Sequence, residues 1–214
     1  TYFTIILNAM MSITRVFVLA SRATASAERI GEVLDMPEDI KDGFLEIVIN
    51  PQKPHIEFRN VSFSYNQKES NLKNISFKLY QGQTLGIIGA TGSGKTTIIN
   101  LLMRFYDVDE GEILIYGQNI KTLKQEDLRR SIGVVFQNDV IFADSIFGNI
   151  QFNRREISDH DIELATEVAQ ADFIYEKEDD FKYQMAQKGM NLSGGQKQRL
   201  LIARAVAGKP DILV

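Results

Sequence analysis

The 214-residue chain has no cysteine, no tryptophan, four prolines and two histidines. Without cysteine there can be no disulfide, no thiolate zinc site and no cysteine nucleophile, a pattern compatible with a reducing compartment. His55 and His160 are too few and too isolated for a metal cluster. His160 lies in "SDHDIELATEVA", which reads as a helix start capped by Ser158, so it is expected on a solvated surface. Basic side chains do not dominate either: 24 Lys and Arg against 28 Asp and Glu leave a net charge of -4. That balance argues against bulk phosphate-backbone binding, so no nucleic-acid partner is expected, while a local nucleotide site remains compatible. With 44% hydrophobic and 24% charged residues the chain is globular, with enough length for one good core and a smaller appendage.

Residues 2 to about 34 read as one helix. Ile5, Ile6, Ala9, Met10, Ile13, Val16, Phe17 and Ala20 recur at helical spacing, and neither Pro nor Gly interrupts before Gly31. The uncharged part ends at Arg15 and is shorter than the ~20 residues a bilayer span needs, so alone it fits a core helix equally well. With more chain ahead of it, it becomes the inner half of a membrane helix, with Arg15 and Arg22 toward the cytoplasm. "DMPEDIKDGFLEIVINPQKP" carries three of the four prolines and several acids, which makes 35–54 a linker. From residue 55, "HIEFRNVSFSY" and "NISFKLYQGQ" alternate as half-buried strands, and "TLGIIG" reads as a fully buried strand. "GEILIYG" and "SIGVVFQ" add strands, and the stretch from Ser158 is mostly helical until "DILV". The layout is α/β.

"GATGSGKTT" fits G-x-x-x-x-G-K-[ST] at Gly89, Gly94, Lys95 and Thr96, between the expected strand Leu85 to Ile88 and the helix "TTIINLLMRF". Glycines let such a loop wrap tightly and turn backbone N–H groups inward, here over Gly89, Thr91, Gly92, Ser93, Gly94 and on to Thr97. The helix N-terminus adds partial positive charge, Lys95 meets the outer phosphates of a nucleotide, and Thr96 offers a hydroxyl to Mg²⁺. A P-loop alone leaves kinases, GTPases and motors open.

The second motif is "NLSGGQKQRLLIARAVAGKPDILV", in which Leu192-Ser193-Gly194-Gly195-Gln196 directly precedes a helix. Ser193 and the amides of Gly194 and Gly195 can converge on a phosphate at that helix start, the alternative being a plain Gly-Gly cap. This motif resembles the signature of ATP-binding cassette (ABC) proteins, and the whole chain resembles the C-terminal half of an ABC exporter half-transporter of the multidrug or lipid type. The resemblance implies a P-loop nucleotide-binding domain over 55–214, with an antiparallel β subdomain and a helical subdomain at about 138–192. It implies that Ser193, Gly194, Gly195 and Gln196 serve the partner subunit's ATP. Tyr65 resembles the aromatic that stacks on adenine, worth about 1–3 kcal/mol by analogy with base stacking. Gln137 in "VVFQND" resembles the glutamine that approaches Mg²⁺ and the attacking water, so Gln137 and Lys95 are the catalytic candidates. "RATASAERIGEVLDMP" resembles the cytoplasmic extension of an exporter's last transmembrane helix. That favours the membrane reading of residues 1 to 22, with lipid around them, in the cell membrane with the cassette in the cytoplasm.

The partner implied is a second half-transporter, and the transported substrate is not named by these residues. Gln187 in "AQKG" replaces the acid of the "GExG"-like loop that exporters usually carry, which favours a heterodimer with an impaired ATP site. Thr1 opens no leader and Ile212 to Val214 reads as a strand that continues. The chain is therefore expected to be an internal piece of a longer protein, cut before the Walker B Asp and catalytic carboxylate, and by itself to bind nucleotide weakly without turnover. The competing readings are a soluble ABC ATPase and a cassette that binds ATP without hydrolysing it. "EKEDDF", residues 176–181, lacks EF-hand spacing and is expected to be a solvated turn.

Overall fold

A computed structural model describes residues 1–66, 70–137 and 139–214. It divides into two compact units, Thr1–Lys41 and Asp42–Val214. Asn138, where the helical subdomain is expected to begin, lies outside the described residues.

The first unit is built on α1, Tyr2–Leu34, which has no buried residue. Its hydroxyl side chains turn back onto the helix: Ser12 donates to the Asn8 carbonyl, Thr14 to Met10 and Thr24 to Ala20, at 2.8, 3.0 and 3.0 Å. Such i to i-4 bonds satisfy the polar groups without any outside partner. Phe3, Ile6, Met10, Ile13 and Phe17 are all exposed. Among the described residues α1 is the one helix long and apolar enough to cross a membrane.

The second unit begins with an extended segment tied to the body behind it. Leu45 pairs with Leu123, and Val48 donates to Gln118 Oε1 at 2.7 Å. A four-stranded antiparallel sheet follows, built from β1 (Ile56–Phe63), β2 (Leu72–Leu79), β3 (Glu110–Ile115) and β4 (Gln118–Asn119) in the order β2-β1-β3-β4. The alternation seen in the sequence becomes two faces. Ile56 pairs with Leu79 and Ile115, and Phe58 with Phe77 and Ile113, so apolar rows cross three strands on one side. The opposite side carries charge: Glu57 meets Lys78 at 3.1 Å, and Arg59 meets Glu112 at 2.9 Å.

Between β2 and β3 runs α2, Lys95–Leu102, whose Leu101 and Leu102 are buried against the sheet. Phe105, the last residue of the expected helix "TTIINLLMRF", falls beyond α2 and is half-exposed under the Arg129 guanidinium. After β4 come α3, Gln125–Arg130, and β5, Ile132–Gly133. The second core is helical. α4 (Ile146–Gln151), α5 (Asp159–Val168) and α6 (Gly194–Ala207) bury Ile146, Ile150, Ile162 and Leu200 among themselves. Each such side chain taken from water contributes about 1.5–3 kcal/mol. The chain returns to β5 through β6, Ile212–Leu213, which runs parallel to it. Ser158 closes a capping box with Asp161, and His160 is exposed, both as read from the sequence. Glu176 and Asp179 are exposed in the turn at 176–181.

One expected element is corrected. Leu85 to Ile88 is not a buried strand: Thr84–Ala90 forms no ladder, Leu85 and Ile87 are each 42% exposed, and Ile88 is 99% exposed. A strand is stabilised by neighbours on both edges, and no described strand pairs with this segment. Leu85 and Ile87 instead line a cavity of about 450 Å³ whose far wall is β6 and Val214.

Candidate functional site

The loop from Gly89 into α2 is shaped by backbone that only glycine adopts freely. Gly92 and Gly94 sit at φ +83° and +89°. Gly94 is also packed too closely for a side chain, since a Cβ there would lie 2.6 Å from Leu72 Cδ2 and 2.9 Å from the Asn71 carbonyl oxygen. Gly94 occupies the N-cap position of α2 and, having no side chain, supplies no cap hydrogen bond to the first amides of that helix. By contrast Ser145, Ser158 and Ser193 cap α4, α5 and α6 with their hydroxyls. The α2 N-terminus thus presents its N–H groups and its partial positive charge outward. Lys95 Nζ folds back to donate to the carbonyls of Gly89 and Ala90, at 2.8 Å each. Ser93 N closes the turn onto Ala90 O at 3.2 Å, and Thr91, Gly92 and Thr96 are exposed. An anion arriving here meets amides, a helix dipole and an ammonium at once, so the cradle fits a polyphosphate.

Tyr65 leaves β1 beside this loop. Its N–H donates to Asn71 Oδ1 at 3.0 Å, its ring meets Phe63 and Tyr106 edge to face at 4.8 and 4.9 Å, and 45% of the residue is exposed.

Ser193, Gly194 and Gly195 are exposed at the start of α6, with Leu192 buried behind them. The helix start is a full capping box: Gln196 N donates to Ser193 Oγ at 3.3 Å, and Ser193 N donates to Gln196 Oε1 at 3.0 Å. Gln196 is therefore engaged within its own chain. A Cβ on Gly194 would meet nothing within 4 Å among the described residues, so their packing does not require glycine there.

Residues 72–214 match the sequence family described as "ABC transporter". The chain belongs to the ABC transporter family. Membership in this family implies that the domain binds ATP. The chain is 42% identical over 210 residues to "ABC transporter B family member 6" of Dictyostelium discoideum, covering 90% of itself and 31% of that protein. It is 36% identical over 215 residues to the "ATP-dependent lipid A-core flippase" of Saccharophagus degradans, covering 100% of itself and 36% of the flippase. Among solved structures it resembles a bacterial Atm1-family ABC exporter with ATP bound, at a TM-score of 0.82 and 34% identity, covering 90% of this chain and 34% of that one. The chain spans about a third of the length of these relatives.

The ABC cassette's expected site residues fall into separate places. Lys95 lines the cavity shared with Leu85, Ile87 and Val214. Gln137, exposed at the end of the β5 segment, lines another cavity of about 660 Å³ together with Lys188 and Gly194. Within this one chain Gln137 thus neighbours the signature helix rather than the P-loop lysine. Gln187 is exposed in a single 3₁₀ turn, Gln187–Gly189, in which Lys188 takes φ +56°. The sequence reading did not single out Asn100, whose amide reaches the Tyr65 hydroxyl at 3.1 Å across 35 residues. Its only sequence signal was helical spacing from Thr97.

Proposed function

We propose that the chain is the ATP-binding part of an exporter subunit, coupling ATP binding and hydrolysis at a pair of cassettes to export of a substrate across a membrane. The observation that carries the reading is the cradle at α2. Two left-handed glycines, an uncapped helix start and the Lys95 ammonium meet there, an arrangement suited to a triphosphate and costly to keep for any other purpose. In this reading the amides from Gly89 to Thr97 hold the phosphates, and Lys95 exchanges its two loop carbonyls for outer phosphate oxygens. Tyr65 presents its exposed ring to the adenine.

Thr96 and Gln137 both carry exposed oxygen donors, which suit a hard cation such as Mg²⁺. The cation, when bound, would offset phosphate charge. Lys95 offsets charge that develops on the transferred phosphate, and Gln137, which in the lone chain lines a different cavity from Lys95, would hold the attacking water once nucleotide draws it toward the P-loop. Ser193, Gly194 and Gly195 serve nucleotide on a second cassette, which accounts for the open space at Gly194. Nucleotide then favours the closed pair because it touches both halves only there.

Residues 1–34 are read as the inner part of a membrane helix and its cytoplasmic extension, with the cassette over 55–214. The support is the largely apolar α1, which buries no residue, and its self-satisfied hydroxyls, together with relatives named as an exporter and a flippase. Sedimentation of the chain in detergent, with and without saturating ATP and Mg²⁺, tests the two-cassette arrangement. A heavier, ATP-dependent species that Ser193→Ala weakens is expected. Bound ATP with no change in mass would remove that part of the reading.

A further inference from the structure

Tyr65 would be a mobile surface ring if β1 alone held it, since two side-chain torsions remain free at an exposed position. The structure instead grips its hydroxyl. Asn100 Nδ2 donates to Tyr65 Oη at 3.1 Å, and the same oxygen lies 3.4 Å from Thr97 Oγ1. Thr97 and Asn100 are three residues apart on α2, one above the other on a single face. Tyr106, four residues past the end of the helix, sets a ring at 85° to Tyr65 with centroids 4.9 Å apart. The aromatic ring is therefore fixed from the helix whose N-terminus forms the phosphate cradle.

We propose that Asn100 and Tyr106 are positioning residues for nucleobase recognition, holding the plane of the Tyr65 ring in register with the P-loop helix before nucleotide arrives. The proposal rests on the reading of Tyr65 as the base platform. Neither residue touches the nucleotide in this account. A ring already ordered loses little rotamer freedom on stacking, whereas a released ring must be ordered at binding, which weakens affinity about three- to ten-fold. The loss is confined to ligands with a base. Inorganic tripolyphosphate, which occupies the cradle alone, is indifferent to the ring.

Calorimetric titration of the chain with ATP and with inorganic tripolyphosphate tests this. Asn100→Ala, Tyr106→Ala and Tyr65→Phe are expected to weaken ATP about three- to ten-fold and to leave tripolyphosphate unchanged, with Tyr106→Phe restoring what Tyr106→Ala loses. In a Tyr65→Ala background Asn100→Ala is expected to add nothing. If Tyr65→Ala weakens ATP while Asn100→Ala and Tyr106→Ala do not, the positioning role is overturned and the platform stands. Equal losses for ATP and tripolyphosphate in Asn100→Ala would also overturn it, by placing the effect on α2 itself. If Tyr65→Ala leaves ATP binding unchanged, the platform reading fails and this inference fails with it.

Discussion

Arg204 on α6 holds Asn149 on α4 twice, through Nε to the main-chain carbonyl at 2.8 Å and through Nη2 to the side-chain oxygen at 3.0 Å. Its remaining nitrogen donates to the Val140 carbonyl at 2.8 Å, and Asn149 in turn donates to the Phe142 carbonyl at 3.0 Å. The Phe152 ring lies against the guanidinium at 4.8 Å. A charge this buried is tolerated only because every face of it is answered, and removing it would orphan several acceptors. Arg204→Ala is expected to cost about 3 kcal/mol, and Arg204→Lys to recover little, since one ammonium cannot copy the fork. Urea unfolding of the two variants checks this; a loss below about 1 kcal/mol for Arg204→Ala would show that the network does not bind α6 to α4.

The charged face of the sheet predicts an acid limb in stability. Glu57 is held down to about 2, from 4.5, chiefly by the hydrogen bond from Arg59 and against the burial that would raise it. A carboxyl depressed on folding contributes stability that is complete above its unfolded pKa and is lost as pH falls toward the folded value. Stability should therefore decline between about pH 4.5 and pH 2. Asp161, also held at about 2 by Lys209 and Ser158, adds to the same window. Glu57→Gln should flatten the decline, seen as a smaller difference in thermal midpoint between pH 5 and pH 3. An unaltered pH profile would exclude Glu57 as a source.

Gly194 separates stability from assembly. Nothing among the described residues opposes a Cβ there, and alanine suits a helix at least as well as glycine. Gly194→Ala should leave the thermal midpoint unchanged or slightly raised, and should weaken ATP-dependent association with a second cassette. A variant that unfolds more easily would place the demand for glycine inside the chain.

α1 should carry the chain onto lipid. In vesicle flotation the chain is expected in the floating fraction, and Ile6→Asp with Val16→Asp is expected to stay below, because a charge at the centre of a span costs about 2.5–3.5 kcal/mol. Equal flotation of both would argue that α1 does not enter the bilayer.

The local features were legible in the sequence because their causes are local. The helical spacing of α1, the alternation of β1 and β2, the Ser158 cap and the Gly-Lys-Thr cradle each depend on residues within a few positions. Leu85 to Ile88 departs from the strand its apolar run suggests for the opposite reason. An apolar run becomes a buried strand only if other segments supply both edges, and hydrophobicity cannot report whether they do. Arg204 looks in sequence like a helix-surface arginine, and its burial is decided by Val140 and Asn149, 64 and 55 residues away. The hold of Asn100 on Tyr65 was hidden in the same way, across 35 residues.

The most direct test of the account is ATP binding by the chain with and without the Lys95 ammonium. A charge-assisted contact to phosphate is worth about 1.5–3 kcal/mol, so Lys95→Ala should weaken ATP at least about ten-fold by equilibrium titration, with the thermal midpoint of the unliganded chain little changed. ATP bound equally well by both proteins would contradict the assignment of the Gly89–Thr97 loop as the phosphate site.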